Sequence, residues 1–176
     1  MLVINLFGAP GAGKSTEAAR WYVALKDEGY NAELVRETAK TACWEGTLAA
    51  GNKTPFYYVA QQAHAQEILR GKVDVIVTDA PLLQHAVYAD YTISGQDQVF
   101  VDIFNGFINI NFFIPRGKPY NPKGRTQSSE QSMRLQDQIL DLLNNYGVSF
   151  YTHKSGGIDP SHIDFVKKFL EHLQQR

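Results

Sequence analysis

At 176 residues the chain has the length of about one domain. Its 17 Lys and Arg against 18 Asp and Glu leave a formal net charge of −1, which excludes a generally basic nucleic-acid-coating protein. A hydrophobic fraction of 44% and an aromatic fraction of 12% exclude disorder and supply a sizeable core.

In chain order, Leu2 to Phe7 reads as a short buried strand; it has no basic n-region and Gly8 cuts it short, so it does not read as a signal peptide. A glycine-rich turn leads into a helix from about Lys14 to Asp27, closed by Gly29. Asn31 to Arg36 reads as a second strand, and Glu37 to Ala50 as a weakly helical stretch ending at Gly51. Thr54 and Pro55 have the chemistry of an N-cap and first helical residue, opening a helix to about Arg70. Val73 to Thr78 is the third strand. Leu82 to Tyr91 has a helical reading, and Gln96 to Phe107 a stronger one. Ile108 to Ile114 is a fourth strand, followed by a basic segment punctuated with Pro and Gly, Pro115 to Arg125. A helix from about Ser128 to Tyr146, a fifth strand at Val148 to Thr152 and a last helix capped by Asp159-Pro160 complete the chain. Strands separated by helices predict parallel βαβ units, hence one three-layer α/β domain.

No run approaches ~18 apolar residues, so no membrane span is expected. The single cysteine, Cys43, has no partner for an intramolecular disulfide, which points to a reducing cytoplasm and to packing rather than nucleophilic use.

Chemistry concentrates first in Gly8-Ala9-Pro10-Gly11-Ala12-Gly13-Lys14-Ser15, which fits G-x-x-x-x-G-K-[ST] and is followed by Thr16. Glycines let such a loop turn its N–H groups inward, and the N-terminus of the next helix faces the same anion. Lys14 would reach the β- and γ-phosphates of ATP, and the Ser15 hydroxyl would ligate Mg²⁺. The motif lies between an apolar strand and a helix, the context it requires. Asp79, directly after Val75-Ile76-Val77-Thr78, would face the crevice at the carboxyl end of a central strand and hold Mg²⁺ directly or through water. The bland alternative is an Asp that caps the turn before Pro81. Glu37 ends strand two by the same geometry, with a solvated helix-start glutamate as its alternative.

Together with Val35-Arg36-Glu37, Val77-Thr78-Asp79-Ala80-Pro81-Leu82 and Asn121-Pro122-Lys123-Gly124-Arg125, the loop resembles the small P-loop kinases. These include nucleoside and nucleotide kinases and the nicotinamide-riboside-kinase-like ATPases often found in bacteriophages. The resemblance implies a P-loop NTPase fold with a mostly parallel five-stranded sheet and a short lid at about 115–127. It also implies an ATP- and Mg²⁺-dependent kinase acting on a nucleoside- or nucleotide-like acceptor. Neither the Asp-Gly-Phe-Pro-Arg segment of nucleoside monophosphate kinases nor the Glu-Arg-Ser segment of deoxynucleoside kinases is present, so the acceptor is not named. In deoxynucleoside kinases an acid at the position of Glu37 takes the proton of the attacking hydroxyl; spacing leaves open whether Glu37 or Asp79 is the base.

The resemblance makes Arg116 and Arg125 lid arginines that neutralise charge on the transferring phosphoryl group, with Lys118 and Lys123 beside them. A solvated loop and a DNA-backbone contact are the alternatives for this segment. On the helix at 55–70, Phe56, Tyr57, Tyr58, Gln61, Gln62 and His64 would stack and pair a base, or else belong to the core; Trp44 and Tyr120 carry the same ambiguity. His64, His85 and His153 lack metal-ligand spacing and read as structural or solvated. Beside the small-acceptor kinase stand two alternatives: a phage-type kinase acting on a 5-hydroxymethyl pyrimidine in DNA, and an NTPase switch or regulatory ATP-binding module.

Overall fold

A computed structural model describes residues 1–54, 56–88, 93–117, 119, 121 and 127–175. The strands β1 (Leu2–Phe7), β2 (Ala32–Val35), β3 (Val75–Thr78), β4 (Ile108–Phe113) and β5 (Tyr151–Thr152) form one sheet in the order β2-β3-β1-β4-β5. Every neighbouring pair is parallel, from Leu2 opposite Val75 and Ile108 to Phe113 opposite Thr152. A parallel strand at the centre of such a sheet is covered on both faces, which is why β1 is an unbroken apolar run apart from Asn5.

The two faces of β1 bury different helices. Leu2, Ile4 and Leu6 pack with Trp21 and Leu25 of α1 (Lys14–Asp27) and Val166 and Leu170 of α7 (Pro160–Gln174). Val3 and Phe7 pack with Val59 of α4 (Tyr57–Glu67), Phe100 and Phe104 of α5 (Gln96–Asn105), and Ile139 and Leu143 of α6 (Ser129–Asn145). This is the predicted three-layer α/β arrangement. Trp21 is fully buried, its ring 5.0 Å from that of Phe112; truncation to Ala would cost about 3–5 kcal/mol. Asn5 is accommodated because its amide donates to Asn109 Oδ1 (2.8 Å) and Asn111 Oδ1 (3.1 Å) on β4. Those two amides in turn donate to the backbone carbonyls of Phe104, Phe107 and Ser149, so the polar cluster is connected within the sheet.

Several local expectations are corrected. The stretch after Glu37 is two short helices, α2 (Thr38–Glu45) and α3 (Leu48–Asn52). Thr54 does not cap α4: its hydroxyl donates to Ala50 O at 3.0 Å and its N–H to Gly51 O at 3.0 Å, closing α3 instead. The cap of α4 is Phe56, in the left-handed conformation at φ 60°, its ring edge-on to Phe100; Pro55 lies outside the described residues. The segment after Pro81 is a 3₁₀ helix, Leu82–Val87. The fifth strand is only two residues long because Val148 N–H closes α6 on Leu143 O and Ser149 O accepts the Asn111 side chain. The cap predicted for the last helix is present, Asp159 accepting from Ser161 N ahead of Pro160, and Ser128 and Gln131 form a reciprocal capping box at the start of α6. Among the described residues no helix is long and apolar enough to cross a membrane.

Candidate active site

At the first glycine of the loop after β1 there is no room for a side chain. Gly8 has φ +152°, and a Cβ there would lie 2.7 Å from Ile114 O. Gly13 caps α1 in the left-handed conformation, and its carbonyl accepts the N–H groups of Thr16 and Glu17. Ser15 N–H, in the first turn, has no carbonyl a helical turn earlier to bond, which leaves a donor at the positive end of the helix dipole. Lys14 Nζ bridges Gly8 O at 2.7 Å and Ala9 O at 3.4 Å, holding the ammonium across the loop. Two distant elements fix the cradle: Gln84 Oε1 accepts from Gly8 N at 3.1 Å, and Ser132 Oγ on α6 donates to Pro10 O at 2.6 Å.

In front of the cradle lies a cavity of about 300 Å³. Pro10, Gly11, Gly13, Lys14, Ser15 and Thr16 line one end. Gly8, Ala9 and Ala12 shape the loop from behind, Ala9 and Ala12 being buried. The opposite wall is built from Lys40, Cys43 and Trp44 of α2, Leu48 and Asn52 of α3, Tyr58 of α4, and His85 and Tyr88. Glu37 and Gln127 also line the cavity.

The two predicted acids are brought together. Asp79 is 3% exposed at the end of β3, and its Oδ1 accepts the Glu37 backbone N–H at 3.0 Å. Asp79 therefore stands behind Glu37 rather than in the cavity wall. Arg116 does not line the cavity: its guanidinium donates to Ser129 O (2.8 Å) and Ser129 Oγ (3.1 Å), and its backbone N–H to Gln136 Oε1. Arg125, Lys118, Lys123 and Tyr120 lie outside the described residues.

The aromatic helix divides between core and cavity. Phe56 packs on Phe100; Gln62 is buried and donates to Thr78 Oγ1 at 3.1 Å, bracing the end of β3 rather than presenting its amide to a base. Tyr58 is buried, lines the cavity and donates to Leu48 O at 3.2 Å. Trp44 is 70% exposed at the cavity edge, and Cys43 is half-buried beside it. His85 Nε2 is sealed from solvent without a partner, and burial pushes its pKa down to about 4, so the ring is neutral. Burial and the nearby Glu37 charge raise Tyr88 far above the ordinary tyrosine range. His153 is buried behind the cradle, 3.3 Å from the Glu17 carboxylate. Among the described residues no group of three or more His, Cys, Asp or Glu is arranged to hold a metal ion.

Sequence reasoning passed over Glu17, Lys40, Gln84, Tyr88 and Ser132. Lys40 and Trp44 were accessible as an i, i+4 pair following Glu37, one face of α2. Glu17 is fully buried in the first turn of α1, accepts from Gly156 N at 2.7 Å and pairs with Arg20. Its partner Gly156, like Gly8 for Gln84 and Pro10 for Ser132, lies far along the chain, and no local pattern marks these contacts.

No curated protein matches this chain. Among solved structures, a thymidylate kinase from Ehrlichia chaffeensis superposes with a TM-score of 0.60 at 18% identity, over 96% of this chain and 98% of that one. A deoxyadenosine kinase from M. mycoides, solved with dCMP and dCDP as products, gives 0.55 at 18% identity over 97% and 99%. At this identity the likeness is one of fold: the sheet and helix order are those of small P-loop nucleotide kinases. A family model described as an AAA domain, AAA_28, matches residues 3–159, and the chain belongs to that family.

Proposed function

We propose that the protein is an ATP- and Mg²⁺-dependent phosphotransferase that moves the γ-phosphoryl group to a hydroxyl or phosphate of a nucleoside- or nucleotide-like acceptor. The observation that carries this reading is one continuous cavity lined by the P-loop, by Glu37, and by a wall that combines the aromatic rings of Trp44, Tyr58 and Tyr88 with Lys40, Asn52 and His85. Donor phosphates on the loop would take over the Lys14 ammonium from Gly8 O, with Glu37 lining the same cavity. As general base, Glu37 would accept the acceptor's proton; its backbone is held for this by Asp79.

The oxygen donors at this end suit Mg²⁺, which keeps several waters and takes few protein ligands beside phosphate. Ser15 Oγ would ligate it, with Asp79, set behind Glu37, acting through water. Bound Mg²⁺ would supply charge neutralisation of the phosphates. Arg125, and Arg116 if released from Ser129, are proposed to close over the transferring group as the short lid.

At about 300 Å³ the cavity is at the small end for ligand sites, which suits one nucleoside-sized acceptor group. The names and products of the two similar kinases, thymidylate, deoxyadenosine and dCMP, fall in that size class. A base in duplex DNA would need extrusion to enter. The test is transfer of labelled γ-phosphate from ATP to nucleosides, nucleoside monophosphates, nicotinamide riboside, and DNA with and without 5-hydroxymethyl pyrimidines. Labelled small product from the wild type, reduced at least ~100-fold in Lys14→Ala, is expected. Label in modified DNA alone would replace the acceptor reading, and slow phosphate release with no labelled product would replace it with a switch.

A further inference from the structure

Gln84 is buried on the 3₁₀ helix between the cradle and the acceptor wall, and the chemistry proposed above makes no use of it. Its two amide ends are fixed by what they face. Gly8 N–H only donates, so the atom 3.1 Å from it is the carbonyl Oε1. That leaves the Nε2 amide 3.4 Å from the Tyr88 hydroxyl oxygen. An N–H donates, so the Tyr88 oxygen accepts and its own proton points elsewhere. The contact is long, and its effect is one of orientation more than strength. Tyr88 lines the main cavity and an adjoining smaller one of about 40 Å³.

We propose that Gln84 is a positioning residue: anchored on the first glycine of the cradle, it turns the Tyr88 hydroxyl into a hydrogen-bond donor for the acceptor in the cavity. This rests on the phosphotransferase reading and narrows it. The acceptor would present an oxygen or nitrogen lone pair at Tyr88, as a base carbonyl, a ring nitrogen or a sugar oxygen does. Because the same side chain holds Gly8, the donor cradle and the acceptor contact share one strut.

Two substitutions separate its limbs. Gln84→Met keeps the length and removes both bonds. Gln84→Glu keeps an oxygen for Gly8 N–H but offers Tyr88 an acceptor, so the phenol proton turns back toward residue 84. With an acceptor from the panel, Gln84→Glu is expected to raise the acceptor KM about tenfold, as Tyr88→Phe does, with the KM for ATP within about twofold of wild type. Gln84→Met should raise both. The Gln84→Glu/Tyr88→Phe double variant should match Tyr88→Phe alone, because the two changes remove one contact. An unchanged acceptor KM in Gln84→Glu, or losses that multiply in the double variant, would overturn the proposal.

A readout independent of turnover is the Cζ resonance of Tyr88 in protein carrying ¹³C-labelled tyrosine, assigned by its disappearance in Tyr88→Phe. It should move in Gln84→Glu, whereas an unmoved resonance contradicts the contact. If the wild type phosphorylates nothing while this resonance moves, the enzymatic reading fails and the Gln84–Tyr88 contact stands.

Discussion

Asp79 Oδ1 holds the backbone N–H of Glu37, so a change at one acid acts on the other, and the choice of substitution decides what is measured. Asn at position 79 retains an oxygen for that N–H and removes only the charge. Asp79→Asn is therefore expected to raise the Mg²⁺ concentration needed for half-maximal rate while leaving Glu37 in place. Glu37→Gln should leave ATP and Mg²⁺ affinity intact and lower turnover by ~100-fold or more. Magnesium titrations of the two variants check both. Unchanged turnover in Glu37→Gln removes it as the base, and lost Mg²⁺ affinity there would exchange the two roles.

His85 makes a prediction about stability rather than rate. Burial holds its pKa near 4, below the ordinary histidine value of about 6.5. Between those values the unfolded chain takes up a proton that the folded chain does not, so the unfolded state gains. The His85 contribution is at its full value above about pH 6.5, falls as pH drops through this window and is lost by about pH 4. Urea unfolding at pH 7.5 and pH 5 should show wild type losing more stability than His85→Asn, by on the order of 1 kcal/mol. Groups shared by both proteins cancel in the difference. Equal losses would mean that the imidazole protonates in place.

At the scale of elements, α3 and α4 approach each other closely at Gly51. Gly51 has ordinary helical geometry, and by propensity alone alanine would stabilise α3 by roughly 1 kcal/mol. A Cβ there would sit 2.2 Å from Tyr58 Oη and 2.3 Å from its Cζ, so the ring that lines the cavity must leave and its bond to Leu48 O must break. Gly51→Ala is expected to lower stability by about 1–3 kcal/mol and to raise the acceptor KM with little change for ATP. A more stable protein with unaltered KM would show that Tyr58 moves without consequence. This contact also marks where the sequence stops being legible. The central strands and the loop of Gly8 to Ser15 were readable because continuous apolar runs and glycine-dependent backbone geometry are local properties. Thr54 was misread for the same reason. A threonine before a proline has the local form of an N-cap, yet the carbonyl that captures its hydroxyl is Ala50 O of the preceding helix. Gln62 and Gln84 are likewise ordinary polar residues until tertiary packing supplies Thr78 Oγ1 and Gly8 N.

For the whole molecule, parallel topology gathers the site. The strand order β2-β3-β1-β4 sets Glu37, Asp79, the phosphate loop and Arg116 after the carboxyl ends of four adjacent strands, along one edge of the sheet. Chain order alone left the role of the fourth member undecided. As it stands, Arg116 ties the exit of β4 to the start of α6: its guanidinium spans Ser129 O and Oγ, and its N–H reaches Gln136. Arg116 and Ser129 are thereby held together. A lysine cannot reproduce a two-pronged contact with one ammonium. If this clamp is what Arg116 contributes, Arg116→Lys should cost about 1 kcal/mol, lowering the melting temperature by roughly 2–4 °C, with turnover at 25 °C falling less than about fivefold. Arg125→Lys, free of that duty in the lid reading, should do the reverse: an unchanged melting temperature and a large loss of turnover, with ATP affinity retained. Thermal melts beside steady-state kinetics of the two variants decide between them. A collapse of turnover in Arg116→Lys at unchanged melting temperature would mean that this guanidinium leaves Ser129 in the working state and meets the transferring phosphoryl group itself.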